Sequence, residues 1–201
     1  VDASNLTANV TFTGGSREDT FTMGTTLNQN DTIDGGADGT ASGENDSLTA
    51  TVTGLSSVTG ALNISNVEVI DFTNNGTATI DATAITGANS INVFASSDTT
   101  SFTNLTSGAT IGLSKTGSAD QVIGDLSVAL ADATATDDVI NFGFNEVTSA
   151  TLTATGVETV NLVGSTTDTD IAESTLTVSA LNASTINISG ANADTGHTMG
   201  L

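Results

Sequence analysis

Acidic and amide side chains are concentrated between residues 14 and 49, in short segments that also carry glycines. These segments are Gly14-Gly-Ser-Arg-Glu-Asp-Thr-Phe-Thr22, Asn30-Asp-Thr-Ile-Asp-Gly-Gly36 and Gly43-Glu-Asn-Asp-Ser-Leu-Thr49. Carboxylate, amide and backbone carbonyl oxygens are the hard ligands that Ca²⁺ takes in sets of about six to eight. The chemistry that this region could perform is therefore the binding of a divalent cation by acidic turns.

The candidate ligands form two groups along the chain. The first group is Asp19, Asp31, Asp34, Asp38, Asn45 and Asp46, and the second is Asp120, Asp137 and Asp138. A competing interpretation is that they are solvated turn residues that hydrogen-bond their own backbone. A single aspartate favours the turn interpretation. The cluster from Asp31 to Asp46 favours cation binding, because carboxylates this close together repel one another unless they are neutralised.

The overall charge balance points in the same direction. The 201-residue chain has 23 acidic and 2 basic residues, a formal net charge of -21, and no cysteine. This charge repels nucleic acid and anionic lipid, so neither is expected as a partner. The sequence also lacks an apolar run of about 18 residues, so no membrane insertion is expected. A cationic partner is needed to offset the surplus of carboxylates.

Residues for catalysis are scarce. The single histidine is His197, and the sequence contains no G-x-S-x-G, no P-loop and no H-E-x-x-H. Paired carboxylates could serve a glycosidase, but a sugar site generally needs basic or aromatic side chains as well. The chain has no Trp or Tyr, and its basic residues are Arg17 and Lys115. We therefore expect that the protein is not an enzyme.

Short runs that alternate apolar and small polar residues recur along the whole chain and predict strands buried on one face. The connecting segments are rich in Gly, Ser, Asn, Asp and Thr, as turns require. A short helical turn is considered only at Val128 to Ala133. The predicted strands contain Val10–Phe12, Leu48–Val52, Val69–Phe72, Ile91–Val93, Ile111–Leu113, Val139–Phe142, Thr151–Thr153, Val160–Leu162, Leu176–Val178 and Ile186–Ile188.

Three sequence patterns recur in the same order and indicate a super-repeat on the order of 90 to 100 residues. The first is a leading apolar residue with an apolar pair a few positions on, as in Leu6 with Val10 and Phe12, and the second is Asp-x-apolar. The third is Asn66-Val-Glu-Val-Ile-Asp-Phe72, which is echoed by Gly156-Val-Glu-Thr-Val-Asn-Leu162. Ordered repeats of short strands favour an all-β parallel β-solenoid, in which each coil buries its inward residues against its neighbours. The absence of Pro leaves every backbone N–H free for the ladder. An antiparallel β-sandwich would use the same strand pattern and is the alternative.

The acidic region resembles the nonapeptide of RTX calcium-binding β-rolls, G-G-x-G-x-D-x-U-x with U apolar. The matching positions are Gly14, Gly15, Asp19 and Phe21, then Asp31 with Ile33, and Asp46 with Leu48. Two features depart from the pattern. Arg17 stands where the family has a glycine, and the aspartates follow one another after 12 and 15 residues. A regularly stacked roll is therefore not expected, although individual sites would survive.

The wider chain is similar to bacterial surface-layer proteins and to large RTX-type secreted proteins. The similarity lies in its Thr-, Ala- and Gly-rich strand repeats and in the Val157-Glu-Thr-Val-Asn-Leu162 element. The resemblance implies calcium as a cofactor, type I export of the full-length protein and a place at the cell surface. On this view residues 1–50 form a degenerate RTX-like calcium-binding segment, and residues 51–201 continue the same stack as a strand-repeat solenoid.

Two functions follow from these expectations. The first is a structural component of an extracellular layer or filament that folds and self-assembles through calcium bound by its turns. Its partners would be further copies of the chain, in a lattice or fibre, and cell-surface polysaccharide bound through regions outside this segment. The alternative is a ligand-binding repeat module of a large RTX-type adhesin, with the same calcium dependence but no self-association.

Overall fold

Parallel β-strands dominate the described part of the chain. The computed structural model describes residues 1–37, 44–52, 60–94, 98–114, 124–145, 149–164, 175–180, 182–189 and 198–200. These residues form strands and no helix, and every strand pairing among them is parallel. The protein is therefore an all-β parallel β-solenoid, and the antiparallel sandwich is wrong.

Three sheets make up the solenoid, of eight, six and four strands. The eight-stranded sheet contains β2 (Thr20–Gly24), β4 (Ser47–Val52), β6 (Val69–Asn74), β9 (Ser90–Phe94), β11 (Thr110–Ser114), β13 (Val139–Asn145), β15 (Thr159–Gly164) and β17 (Thr185–Ser189). The six-stranded sheet contains β7 (Ala78–Asp81), β10 (Thr100–Leu105), β12 (Leu126–Leu130), β14 (Ser149–Thr155), β16 (Thr175–Ser179) and β18 (Thr198–Gly200). The four-stranded sheet contains β1 (Thr11–Thr13), β3 (Thr32–Asp34), β5 (Asn63–Ser65) and β8 (Ile85–Thr86).

Each of the ten predicted strands overlaps a strand of the structure. The helical turn that was considered at Val128 to Ala133 does not form, and β12 runs from Leu126 to Leu130. In this strand Leu126, Val128 and Leu130 are buried and the residues between them are partly exposed. A period of two places all three apolar side chains on one face, which a helical period would not do.

The structural repeat is one rung of the eight-stranded sheet. Successive rungs begin 27, 22, 21, 20, 31, 20 and 26 residues apart, as measured between the paired residues Thr20, Ser47, Val69, Ser90, Thr110, Asn141, Asn161 and Asn187. The rung is thus shorter than the super-repeat, and connections of variable length separate its strands. β4 crosses the expected boundary at residue 50 and pairs with β2 on one side and β6 on the other.

Inward side chains stack in columns that form one continuous core. One column of the eight-stranded sheet runs through Phe21, Leu48, Ile70, Ile91, Ile111, Phe142, Leu162 and Ile188. Phe72 and Phe102 are buried and face each other from the eight- and six-stranded sheets, with ring centroids 6.4 Å apart. This core holds the strands in register. The register determines which turn residues lie next to each other where the strands begin and end.

Candidate functional site

Acidic side chains stand immediately before five strands of the eight-stranded sheet. They are Asp19, Asp46, Glu68, Asp138 and Glu158, and we call this set the acidic column. Thr20 pairs with Ser47, and Ser47 pairs with Val69, so the first three carboxylates belong to consecutive rungs. Val139 likewise pairs with Thr159, which places the last two on consecutive rungs further along the stack. Because the strands are parallel and in register, carboxylates that are distant in sequence lie side by side at the N-terminal ends of the strands.

Within the acidic column, carboxylates accept hydrogen bonds from the backbone of the preceding rung. Asp46 Oδ1 accepts the Asp19 N–H at 2.6 Å, and Glu68 Oε2 accepts the Asp46 N–H at 2.7 Å. Glu158 Oε2 accepts the Asp138 N–H at 3.1 Å. Asp46 and Glu68 are buried. The carboxylates therefore complete the hydrogen bonding of backbone donors where each strand begins, and a charged acceptor makes such bonds stronger than neutral ones.

Glycines bring the backbone against the first two carboxylates. The Gly15 N–H donates to Asp19 Oδ2 at 2.6 Å, and a Cβ at Gly14 would lie only 2.7 Å from the same oxygen. On the next rung, a Cβ at Gly35 would overlap both Asp46 Oδ2 and the backbone carbonyl oxygen of Asn66. Gly14 and Gly35 are required because the backbone there approaches the carboxylates more closely than a side chain would allow.

Asp31 has the same function in the four-stranded sheet. It precedes β3, it is 2 % exposed, and its two oxygens accept three hydrogen bonds. Oδ1 accepts the Val10 N–H at 2.9 Å, while Oδ2 accepts the backbone N–H and the side-chain amide of Asn28 at 2.8 and 2.9 Å. Val10 precedes β1, so here again a carboxylate serves the N–H of the preceding rung.

Asp34 and Asp81 are partly exposed carboxylates at the ends of strands, and side-chain amides lower their pKa values. The Asn66 amide donates to Asp34 at 2.8 Å and is the main cause of the lowered pKa, followed by the Gly36 N–H. The Asn104 amide donates to Asp81 at 2.9 Å and lowers its pKa most, followed by the Thr83 hydroxyl and N–H. Both amides lie on a neighbouring rung and therefore tie successive rungs together.

The lowered pKa of Asp81 predicts a specific pH dependence of stability. A folded-state pKa below the unfolded one means that the ionised carboxylate stabilises the fold above about pH 4 and that this contribution disappears as the pH falls through the folded value. We expect wild type to melt above Asp81→Asn at neutral pH, and the difference to vanish in acid. Thermal melts from about pH 7 to pH 2 measure it; a gap that stays constant over this range would contradict the prediction.

The other sequence-predicted ligands are distributed differently. Asn45 and Asp137 are exposed, whereas Asp138 is buried. Asp38, Asp120 and the histidine His197 lie outside the described residues. Among the residues that the structure describes, no group of three or more His, Asp or Glu side chains is arranged to hold a metal ion. Calcium binding by the acidic turns stays a prediction.

Sequence reasoning missed Glu68 and Glu158 as members of the site. Both occur in the repeated Val-Glu element, where a fully buried valine follows a residue of positive φ, Asn66 at 51° or Gly156 at 69°. The left-handed residue makes the corner between sheets, and the glutamate then stands directly before its strand. The recurrence of this element was the available signal, but its carboxylate was not distinguishable from an ordinary surface glutamate.

Comparisons with known proteins add no relative. No family model matches the chain, and the searches of curated proteins and of solved structures each find no match. None of the described residues belongs to a helix long and apolar enough to cross a membrane. The class of protein is therefore defined by the fold itself. It is a parallel β-solenoid with carboxylates stacked immediately before strands of its largest sheet.

Proposed function

We propose that this chain is a structural segment of an extracellular protein layer or filament, which self-assembles through the end of its β-stack with calcium bound at its acidic turns. The observation that supports this function most directly is the eight-stranded parallel ladder and the state of its last strand, β17. A stack of repeated rungs makes a stiff element in which each rung contacts only its neighbours, so an uncovered strand edge such as that of β17 can accept another rung.

The last described rung of the eight-stranded sheet is incompletely covered. Ile188 continues an inward column and pairs with Leu162, yet Ile188 is 53 % exposed while Leu162 is 0 % exposed. On the outer face, the Asn187 amide donates to Asn161 Oδ1 at 2.8 Å, and the Asn161 amide donates to Asn141 Oδ1 at 2.8 Å. Any further strand placed against β17 would bury Ile188, extend the asparagine ladder and pair with the edge of β17, and in the proposed assembly a second copy supplies that strand.

The cation requirement follows from the charge. A chain with a net charge of -21 repels its own copies, and this repulsion opposes end-to-end association. Divalent cations bound at the acidic turns reduce that repulsion and stabilise the folded state by mass action. Calcium at about 1 mM, as outside cells, fills even weak oxygen sites.

Assembly is tested with the purified chain in calcium, in magnesium and in excess EGTA. We expect sheets or fibres by electron microscopy in calcium, and smaller particles with a lower melting temperature in EGTA. The interface is tested with Ile188→Glu, which should prevent assembly without changing the melting temperature of the monomer. Val163→Glu is the matched control, because Val163 is 46 % exposed but pairs on both sides within the ladder. Unchanged assembly and stability in EGTA would reject the proposed function.

One feature favours the alternative function, a ligand-binding module of a large adhesin. The outer face of the six-stranded sheet carries a column of hydroxyl side chains, which consists of Thr79, Ser101, Ser127, Thr153 and Ser179. A flat hydroxyl surface suits recognition of a polar ligand. This function predicts elongated monomers in calcium, so the same micrographs distinguish the two functions.

A further inference from the structure

Asp138 differs from the rest of the acidic column in the state of its carboxylate. The residue is 4 % exposed, and its Oδ2 is buried without a hydrogen-bond partner. Within the described residues, this is the one buried side-chain oxygen or nitrogen in that state. A buried carboxylate oxygen without a partner is costly, so one in a folded protein calls for a partner, which can be a proton, a water or a cation.

The register of β13 explains why Asp138 lacks a donor. Thr110 pairs with Asn141, so β13 begins earlier than β11, and Asp138 faces the turn before β11 instead of a strand residue. In that turn the Gly108 N–H donates to the Val139 carbonyl at 2.7 Å, and Ser107 Oγ accepts the Val139 N–H at 3.0 Å. These bonds connect the turn to Val139, and no N–H of the preceding rung reaches Asp138 Oδ2.

The surroundings of Asp138 provide oxygen atoms and negative charge. Glu158 Oε2 accepts the Asp138 N–H at 3.1 Å, so a second carboxylate lies against the backbone of Asp138. Ser107 Oγ keeps a further lone pair after accepting from Val139. Arg17, the basic residue in the described part of the chain, precedes β2 at the far end of the sheet. A hard cation therefore fits this donor set, because Ca²⁺ takes carboxylate and hydroxyl oxygens and tolerates irregular geometry.

We propose that Asp138 binds one calcium ion through Oδ2, together with Glu158 and the Ser107 hydroxyl. The site rests on the proposed function, since it gives a location to the calcium on which assembly depends. It joins β13 to the turn before β11, across the longest step between rungs, 31 residues from Thr110 to Asn141. The ion would replace the backbone donor that the other carboxylates of the acidic column possess.

The number of bound ions tests this site. Isothermal titration calorimetry of the whole chain with calcium chloride should show that Asp138→Asn loses one ion per chain, or binds it at least about tenfold more weakly. Asp132→Asn is the matched control, because it removes the same charge from an exposed residue that is not a candidate ligand and should keep the full number of ions. Glu158→Gln should weaken the same site.

Melting temperatures provide the second measurement. Calcium should raise the melting temperature of wild type by more than that of Asp138→Asn, and in EGTA the variant should melt no lower than wild type, since it removes a buried, unneutralised charge. An equal number of bound ions in both proteins would overturn the site. The site would also be overturned if wild type and Asp138→Asn differed in melting temperature by the same amount in calcium and in EGTA. Water or a proton would then satisfy Asp138 Oδ2. If assembly still required calcium in that case, the proposed function would stand while this site fails.

Discussion

Replacing Gly35 with alanine is expected to lower the free energy of unfolding by about 3 kcal/mol, the upper range for adding a group to a closely packed position. The new Cβ would overlap the carbonyl oxygen of Asn66 and the Oδ2 atom of Asp46. Neither neighbour can move freely: one belongs to the backbone of the next rung, and the other is a buried carboxylate of the acidic column. Both rungs must therefore separate to admit one methyl group.

The matched control for this substitution is Gly143→Ala. A Cβ at Gly143 would meet nothing within 4 Å, and the residue lies in β13 without a positive φ. We expect this variant to equal or exceed wild type by about 0.5 kcal/mol, because alanine restricts the unfolded chain more than glycine does. Urea denaturation followed by circular dichroism compares the three proteins. Equal losses of unfolding free energy in both variants would contradict this prediction, because the overlap of a Cβ at Gly35 with Asp46 would then not be the cause of the loss.

Asp31→Ala is expected to lower the free energy of unfolding by about 3 kcal/mol. We expect the same loss in calcium and in EGTA. The substitution leaves the backbone N–H groups of Val10 and Asn28 without their acceptor in a part-buried environment. An unpaired buried donor costs about 1 to 3 kcal/mol. The loss should not depend on calcium, because both carboxylate oxygens are already engaged by N–H donors.

Asp31→Asn separates the hydrogen-bonding role from the charge. The amide keeps one acceptor oxygen of the same shape, so we expect about half of the alanine effect. Denaturation curves of both variants, each in calcium and in EGTA, provide the measurement. A loss that appeared only in calcium would contradict the hydrogen-bonding role and would instead make Asp31 a calcium ligand, as the RTX resemblance implies.

The strands were predictable because their signal is local. In Leu48 to Val52 or Ile91 to Val93, the alternation of apolar and polar residues already indicates which side chains face the core. Successive side chains of a strand point to opposite faces of the sheet, so every second residue is buried. The same reasoning corrects the region of Val128, where a two-residue period outweighs a short apolar run. The solenoid was favoured over the sandwich because strands that recur in ordered repeats can bury their inward faces by stacking on one another.

The roles of the acidic residues were not predictable in the same way. Asp19, Asp31 and Asp46 were recognised as turn aspartates with the composition of a cation site, yet their hydrogen bonds run to N–H groups that lie 3 to 27 residues away in sequence. Which residues become partners depends on the length of each connection between strands. The local sequence of a turn does not indicate which residues of the neighbouring rung will lie against it. Glu68 escaped notice for the same reason.

The sequence by itself determined the local chemistry of this protein: one-sided strands, glycine-rich acidic turns and a large surplus of negative charge. These properties are local, because a residue carries its polarity and its backbone preferences wherever the chain goes. Only the tertiary structure decided which carboxylates are matched by backbone donors and that Asp138 is left without one. That outcome depends on the register between β11 and β13, which is set by core packing between residues 31 positions apart.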